Sequence, residues 1–415
     1  MTKKSKRVVI TGMGVVTPLG NDIDIFWSNL VVGNSGIRKI SRFDSEQFPT
    51  KIAGEVVDFD PIYYLDSKKA NRMDRFVQFA LAASSQAVSQ SKIDFKVEDP
   101  YRIHVYIGTA TAGQGWVFEQ YEIFREKGYK KLNPFTAAST FPNAASSNIA
   151  IEFGIRGRCD TISSGCASSL NAIGYGYDAI INGNADMAIV GGSEAMLYAP
   201  IFGSYSKARV LSVRNGFPVS APRPFDLERD GTILSEGAGM LCIEEMDHAL
   251  KRNANILCEI AGVGFTTDAF HIIAHEPTGM IMAAAIHMAL KGADLKPQDI
   301  DYIHMHGMGD KVVDKIETNA IKYAFGDYAY KLNTSAIKSM IGHTQGACGA
   351  IELIASIMSM NRDVILPTIN LTNPDVDCDL NYTPNNAEFK KINHALVNTL
   401  GFGGKNASII ISKLQ

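Results

Sequence analysis

The stretch Asp160-Thr-Ile-Ser-Ser-Gly-Cys166-Ala-Ser-Ser-Leu-Asn-Ala-Ile-Gly174 changes from a short apolar run into a segment with helical spacing. Residues 160–162 can end a strand, Gly165 permits an unusual backbone angle, and residues 167–181 carry apolar side chains at helical intervals with few breakers. The pattern predicts a strand, a tight turn and a helix, with Cys166 at the helix N-terminus. Unpaired N–H groups and the positive end of the helix dipole favour a thiolate there, so Cys166 is a candidate nucleophile. A buried cysteine that only packs is the alternative.

The composition is that of a globular protein with a large core. The chain has 415 residues, of which 46% are hydrophobic and 20% charged, and this size suggests two domains. A net charge of −3 gives no reason to expect nucleic acid or a membrane surface as partner. No apolar run reaches transmembrane length, and the run after the basic start is too short for a signal peptide, so we expect a cytoplasmic protein. The six cysteines lack metal-like spacing, and we expect neither disulfides nor a metal site.

Short apolar runs alternate with alanine-rich helical segments, which predicts an α/β protein with covered sheets. Residues 7–20 (RVVITGMGVVTPLG) are predicted to form a buried strand that enters a glycine-rich loop. This run contains GxG but lacks the third glycine of a dinucleotide-binding fingerprint, so NAD binding is given little weight. Residues 256–263 resemble residues 8–15 as a strand leading to small residues. Such echoes predict two related halves joined near residues 246–255, where charge accumulates.

Three motifs in the second half each place polar residues after a predicted strand and beside glycine. They are DYIHMHGMGD at 301–310, SAIKSMIGH at 335–343 and LGFGG at 400–404. A cysteine nucleophile needs histidines that move protons and donors that hold an oxyanion, so Cys166 and two glycine-flanked histidines form a plausible set. The spacing alone does not show that these residues converge.

The motifs SGCAS, RPFD, SEGAGM, SAIKSMIGHTQGACGA and GFGG occur in the order seen in β-ketoacyl synthases, and the chain resembles that family over nearly its whole length. The resemblance implies a thiolase-like α/β fold, a five-layered αβαβα sandwich made of two pseudo-repeated halves. Residues 1–252 would form the half with the nucleophilic cysteine. Residues 253–415 would form the half with the histidines, the lysine and the GFGG turn. The family works as dimers and acts as an acyltransferase.

Within the family, the chain looks most like the ketosynthase α subunit of bacterial type II polyketide synthases. That resemblance implies extension of a poly-β-ketoacyl chain with malonyl units, with an acyl carrier protein as partner and a chain-length-factor subunit completing a heterodimer. A homodimeric β-ketoacyl synthase II of fatty-acid elongation is one alternative, and a non-elongating chain-length-determining subunit is another. All three imply substrates on phosphopantetheine and no bound cofactor.

The resemblance assigns the reaction to three residues. Cys166 would accept the acyl chain as a thioester, and malonyl carrier protein would then lose CO₂ so that its carbanion attacks the thioester. His306 and His343 match the paired histidines that support decarboxylation and stabilise the enolate, a role that suits neutral imidazole N–H groups.

Further matches support this set. Lys338 matches the family lysine that governs the electrostatics of the site, paired with Glu352, although an ordinary ion pair is the alternative. The backbone N–H groups of Cys166 and Phe402 would form the oxyanion hole, and Phe402 also matches the gating phenylalanine. His304 is expected to be a core residue, and His271 is expected to make structural hydrogen bonds in a loop near the site.

The chain departs from the family at the pantetheine tunnel. Synthases commonly have hydroxyl residues two and four positions after the first histidine, where this chain has Met308 and Asp310. Met308 cannot donate a hydrogen bond, whereas Asp310 can accept one but brings charge into the tunnel.

A basic entrance is expected, because carrier proteins are acidic. Exposed lysines that are simply solvated are the alternative. The candidate docking residues are Lys68, Lys69, Arg72, Lys207, Arg209 and Arg214.

Overall fold

The computed structural model describes residues 6–414, so the first five residues of the basic start and residue 415 lie outside it. The strands are β1 (Val8–Val16), β2 (Ile37–Lys39), β3 (Ile52–Gly54), β4 (Ile103–Gly108), β5 (Cys159–Ile162), β6 (Met187–Glu194), β7 (Gly237–Glu245), β8 (Cys258–Thr267), β9 (Tyr302–His304), β10 (Asn333–Ser335), β11 (Val364–Ile365), β12 (Glu388–Phe389), β13 (His394–Gly401) and β14 (Lys405–Ser412). The helices are α1 (Ile23–Val32), α2 (Ser67–Ala70), α3 (Arg75–Ser91), α4 (Gln114–Lys127), α5 (Thr136–Thr140), α6 (Ala144–Phe153), α7 (Ser168–Ile181), α8 (Ala199–Lys207), α9 (Met246–Lys251), α10 (Met280–Ala293), α11 (Lys311–Phe325), α12 (Lys338–Ile341) and α13 (Cys348–Arg362).

The main sheet shows the internal repeat in its strand order, β10-β9-β13-β14-β8-β1-β7-β6-β4-β5. Its two five-stranded halves meet where β1 pairs antiparallel with β8, from Val8 opposite Ile260 to Ile10 opposite Cys258. From its outer edge, each half has two parallel pairings followed by two antiparallel pairings. Because order and direction agree in both halves, the predicted pseudo-repeat is confirmed.

The alternation of side chains along the strands divides the core into layers. In β1, Val8 and Ile10 join a central cluster with residues of α7 and α13, whereas Val16 joins an outer cluster with α3. In β14, Ile409 belongs to the central cluster and Ile410 to a second outer cluster with α10 and α11. Helices therefore lie outside each half-sheet and also between the two, which gives the expected five-layered αβαβα sandwich.

Glycine makes the outer helices fit closely in both halves. A Cβ atom on Gly12 of β1 would lie 2.0 Å from the Ala87 carbonyl oxygen of α3, and one on Gly262 of β8 would lie 2.1 Å from the Ala289 carbonyl oxygen of α10. The glycines of the GMG run therefore lie inside β1 and permit close packing. The predicted glycine-rich loop is wrong at this point, since β1 continues to residue 16.

Aspartate side chains begin several of the helices. Asp22, Asp74 and Asp310 precede α1, α3 and α11, and each accepts a hydrogen bond from an N–H of the first turn. Within residues 6–414, no helix combines the length and the apolar character that crossing a bilayer requires.

Candidate active site

The candidate residues follow the carboxyl ends of parallel strands from both halves. Cys166 follows β5, His306 follows β9, Lys338 and His343 follow β10, and Phe402 follows β13. Since β4, β5 and β6 run parallel in one half and β9, β10 and β13 run parallel in the other, each half presents these loops at one edge. The structure therefore brings together the residues that the sequence could only list.

Cys166 lies in a tight turn before a central helix. Gly165 has a φ of 62°, in the left-handed region that favours glycine, and α7 begins two residues after Cys166. The cysteine is 6% exposed. Its Sγ atom is 3.1 Å from His343 Nε2, and its thiol donates a hydrogen bond to Gln345 Oε1 at 3.3 Å.

Burial governs the protonation of this cysteine. It raises the pKa of the Cys166 thiol to about 12, although the Lys338 ammonium and the backbone N–H groups of Phe402 and Cys166 oppose the change. The expected N–H groups are therefore present at the sulphur, but the expectation of a thiolate is corrected, because desolvation outweighs them in the closed site. Cys166 rests as a thiol.

The turn between β13 and β14 supplies a backbone donor to the sulphur. The N–H groups of Phe402 and Cys166 lie close enough to the Cys166 sulphur to lower the pKa of its thiol. A Cβ atom on Gly401 would lie 3.0 Å from the Cys166 nitrogen, so only glycine lets the turn approach this closely without displacing the cysteine loop. Two N–H groups that converge on one atom are the arrangement that can hold an oxyanion.

Lys338 lies at the centre of a buried polar network. Its Nζ atom donates to the His306 carbonyl oxygen at 2.7 Å, is 3.1 Å from His306 Nδ1, and forms an ion pair with Glu352. Burial by itself lowers the pKa of Lys338, but Glu352 together with Cys348 and Glu317 outweighs burial, and the net pKa is raised. The Glu317 carboxylate accepts from the N–H groups of His306 and Gly307 at 2.6 and 2.9 Å, which fixes the loop after β9.

His306 and His343 face each other in a neutral form. Their ring centroids are 5.1 Å apart with an interplanar angle of 89°. Burial and the Lys338 charge hold the pKa of each ring well below its usual range. The Cys166 sulphur and the two rings carry atoms within 4.8 Å of one another, and these residue types also bind zinc, but the Lys338 ammonium places a positive charge beside them that disfavours a cation.

Three further histidines lie in or near the site and differ in burial and in hydrogen bonding. His304 is buried, its ring nitrogens have no hydrogen-bond partner among residues 6–414, and burial lowers its pKa to about 3. His271 is exposed and its Nδ1 atom accepts from the N–H groups of Ile273 and Ala274, which agrees with a structural role. His275 lines the cavity at Cys166 instead.

The cavity at Cys166 is small, at about 10 Å³. The Phe402 ring stacks on Tyr205, with centroids 6.3 Å apart and an interplanar angle of 15°, and both residues line this cavity. Met308 lines it too. Asp310 is directed elsewhere, because its Oδ1 atom accepts from the N–H groups at the start of α11 at 2.8 and 2.9 Å.

The candidate docking residues form two groups and are exposed, except Arg214, which is half-buried. Lys68 and Lys69 lie in α2, where Lys69 pairs with Glu152 at 2.8 Å, and the Arg72 guanidinium lies 4.6 Å from the centre of the Phe135 ring. Lys207 is the last residue of α8. Arg209 lies two residues later and directly precedes Val210, which lines the cavity at Cys166. Arg214 forms ion pairs with Glu228 and Asp230 at 3.5 and 3.6 Å.

Sequence reasoning missed four residues that shape the site. Gln345 contacts the Cys166 sulphur, and the Cys348 thiol donates to the Cys166 carbonyl oxygen at 3.3 Å. Glu317 fixes the His306 backbone, and His275 lines the cavity. Gln345 and Cys348 stand inside the motif SAIKSMIGHTQGACGA, two and five positions after His343, but no spacing rule marks them.

A cysteine beside two neutral histidines, paired backbone donors and a buried lysine, between two halves of a doubled α/β fold, defines a condensing enzyme that transfers acyl groups. The sequence matches family models over both halves, the β-ketoacyl synthase N-terminal domain at residues 5–249 and the β-ketoacyl synthase C-terminal domain at residues 257–372. The chain belongs to the β-ketoacyl synthase family. Enzymes of this family take substrates on the phosphopantetheine of acyl carrier protein and use no other cofactor.

Similar proteins include 3-oxoacyl-[acyl-carrier-protein] synthases and polyketide ketosynthases. The 3-oxoacyl-[acyl-carrier-protein] synthases 2 of Coxiella burnetii and Synechocystis are 40% and 41% identical, each covering 99% of both chains. A putative polyketide β-ketoacyl synthase of Streptomyces cyaneus is 38% identical and covers 98% of both. Among solved structures, the ishigamide ketosynthase/chain length factor has a TM-score of 0.93 at 32% identity, covering 99% of this chain and 100% of that one. A type II polyketide ketosynthase bound to its acyl-carrier protein and a hexaketide has a TM-score of 0.91 at 33% identity, with the same coverage.

Proposed function

We propose that this enzyme extends a poly-β-ketoacyl chain in type II polyketide biosynthesis, by decarboxylative Claisen condensation of an acyl chain on Cys166 with malonyl carrier protein. The observation that carries the chemistry is the convergence of His343 Nε2 and the Phe402 N–H on the Cys166 sulphur. Both halves of the condensation need such donors, because each forms a negatively charged oxygen.

Cys166 carries the acyl chain in the first half-reaction. The sulphur attacks the acyl thioester of the carrier, the oxyanion is held by the N–H groups of Cys166 and Phe402, and the carrier thiol leaves with the Cys166 proton. Since Cys166 rests as a thiol, attack requires that this proton moves as the carbon–sulphur bond forms.

His306 and His343 serve the second half-reaction. As neutral donors they stabilise the enolate that forms when the malonyl group loses CO₂. The enolate carbon then attacks the thioester and displaces Cys166 as a thiolate, which takes up a proton from solvent. Lys338, paired with Glu352, supports this role, because its charge beside His306 keeps the ring neutral. Phe402 acts as a gate that moves off Tyr205 to admit the second substrate, an assignment supported by the closed cavity.

The carrier docks beside the cavity at Cys166. Lys207 and Arg209 are exposed and adjoin Val210, which lines that cavity, so an acidic carrier on them could reach Cys166 with its flexible arm. Lys68, Lys69 and Arg72 extend the docking surface, although Lys69 already pairs with Glu152. Met308 would contact the arm by packing alone.

A second subunit covers an exposed apolar side of α4. Val117, Tyr121 and Phe124 lie on one side of α4 and are 44%, 57% and 50% exposed. β5 is also an edge strand with one free side. The similarity to the ishigamide ketosynthase/chain length factor supports a chain-length-factor partner, and the six free cysteines support a reducing, cytoplasmic location.

Homodimeric fatty-acid elongation is the second candidate, and the synthases of 40% and 41% identity favour it. A partner subunit that does not elongate is opposed by Cys166 together with both histidines. The test is product analysis by mass spectrometry after incubation with malonyl carrier protein, with and without a cysteine-free homologue from the same source. Poly-β-keto products that need the homologue support the proposal, whereas an active homodimer that extends saturated acyl chains would contradict it.

A further inference from the structure

Gln345 is a neighbour of the Cys166 sulphur to which the proposed reaction assigns no role. It accepts the hydrogen bond of the Cys166 thiol at 3.3 Å, is 4% exposed and lines the cavity. Its φ of 46° is uncommon for a residue with a side chain. The following N–H, of Gly346, is held by the Glu194 carboxylate at 3.2 Å. The backbone at this point therefore fixes where the amide of Gln345 lies.

A thiol has one proton, so Cys166 can donate to only one of its two neighbours. With the proton directed to Gln345 Oε1, the sulphur presents lone pairs to His343 Nε2 at 3.1 Å. A bare Nε2 would face those lone pairs with no proton between them, whereas a protonated Nε2 donates to the sulphur. His343 Nδ1 is buried and lacks a hydrogen-bond partner in the described part of the chain, so a proton there would be left unsatisfied.

We propose that Gln345 is the fixed acceptor of the Cys166 thiol proton and thereby holds His343 in the tautomer with its proton on Nε2. The inference rests on the proposed function, in which the Nε2 proton is the donor that the enolate needs. A ring protonated on Nδ1 would instead present a lone pair to that enolate. Gln345 is thus a positioning residue for His343 in the unacylated enzyme, before acylation of Cys166 removes the thiol proton.

Lys338 and Cys348 bond atoms other than the Cys166 sulphur, so Gln345 and His343 are the two groups between which the thiol proton is placed. Lys338 contacts His306, and the Cys348 thiol donates to the Cys166 carbonyl oxygen. The titratable groups that face Cys166 from the elements around it are His275, His306, His343, Lys338, Glu194, Tyr205 and Cys348.

The test compares the tautomer of His343 in the wild type, Gln345→Met and Gln345→Glu. Met has nearly the shape of Gln without its oxygen, whereas Glu keeps an oxygen acceptor. In ¹⁵N-histidine-labelled protein, the ring nitrogens are observed by NMR and assigned by loss of signal in His343→Gln. We expect the proton on Nε2 in the wild type and Gln345→Glu, and a shift towards Nδ1 in Gln345→Met, because the thiol then donates to His343. A wild-type proton on Nδ1, or an unchanged tautomer in Gln345→Met, would overturn the proposal.

A kinetic comparison gives a second readout. In the unacylated enzyme, Gln345→Met should slow decarboxylation of malonyl carrier protein by about three- to tenfold, the loss expected for one hydrogen bond, while acyl loading of Cys166 changes by less than about twofold. Equal losses in both steps would indicate a distorted pocket and contradict the proposal. A chain with the expected tautomers that takes up no acyl group would contradict the proposed function alone.

Discussion

At the scale of single residues, the site combines a fixed positive charge with neutral rings. The Lys338 ammonium keeps its proton through Glu352, and that charge with burial keeps His306 and His343 uncharged. Because a buried charge is stable only with its partner, the two members of the ion pair depend on each other.

Removing one member of this pair should destabilise the protein strongly. Burial raises the pKa of Glu352 to about 7 even beside Lys338, so the full loss is expected only at a pH well above 7, where Lys338→Met leaves an ionised carboxylate without its cation and should lower the free energy of unfolding by about 3–5 kcal/mol. The double variant Lys338→Met, Glu352→Met should recover most of this loss. Urea unfolding measures Lys338→Met, Glu352→Met and the double variant, and a double-variant loss equal to the sum of the two single losses would show that the pair is not coupled.

His304 should make stability depend on pH. Its pKa is about 3 in the folded protein, against about 6.5 in an unfolded chain. Because the unfolded state then binds more protons, the stability present above pH 6.5 is lost as the pH falls towards 3. His304→Leu lacks this titration. The difference in free energy of unfolding should therefore shift in favour of His304→Leu by about 2 kcal/mol when the pH is lowered from 7 to 5. Urea unfolding at both pH values that shows a constant difference would contradict this.

Residue chemistry was predictable where a motif carried it. The order of Cys166, His306, Lys338, His343 and Phe402 along the chain was sufficient to assign them together. Gln345 was not found, because its contact with Cys166 depends on a positive φ and on a distance between two halves of the fold. Likewise, burial of Cys166 reverses the thiolate expected from the helix N-terminus alone.

At the scale of elements, Asp310 shows how a departure from the family can be structural. A hydroxyl residue such as threonine and an aspartate are both good N-cap residues, so α11 can begin in the same way with either. The charge that the sequence placed in the pantetheine tunnel is therefore used at the helix start.

Two substitutions separate the cap from the tunnel. Asp310→Ala should lower the free energy of unfolding by about 1 kcal/mol, and Asp310→Thr should lose less, because threonine keeps the cap. Thermal unfolding measures the loss of stability, and the KM for the carrier substrate measures recognition of the pantetheine arm. A raised KM in Asp310→Ala without a loss of stability would assign Asp310 to the pantetheine arm.

The glycines of β1 and β8 should be among the least replaceable in the two halves. Gly12→Ala and Gly262→Ala each place a Cβ atom about 2 Å from a helix carbonyl oxygen and should cost about 1–3 kcal/mol. Gly216→Ala is the matched control, because a Cβ atom there has nothing within 4 Å. If Gly12→Ala unfolds at the temperature of Gly216→Ala, the strand and helix are less closely packed than described.

At the scale of the whole molecule, the doubled fold explains how the site is assembled. One half supplies Cys166 after β5, and the other supplies the histidines, the lysine and the Phe402 turn after β9, β10 and β13. The sequence predicted the α/β class from its apolar runs, but the echoes between residues 8–15 and 256–263 were weak. The repeat lies in strand order and direction, which local patterns do not encode.

The central claim is that Cys166 carries the acyl chain. The most direct measurement is peptide mass spectrometry after incubation with an acyl carrier protein, comparing the wild type with Cys166→Ala and with Cys348→Ala as the control for a neighbouring thiol. We predict one acyl group on the Cys166 peptide in the wild type and in Cys348→Ala, and none on Cys166→Ala. An acylated Cys166→Ala protein, or a wild type that is acylated only at another residue, would contradict the claim.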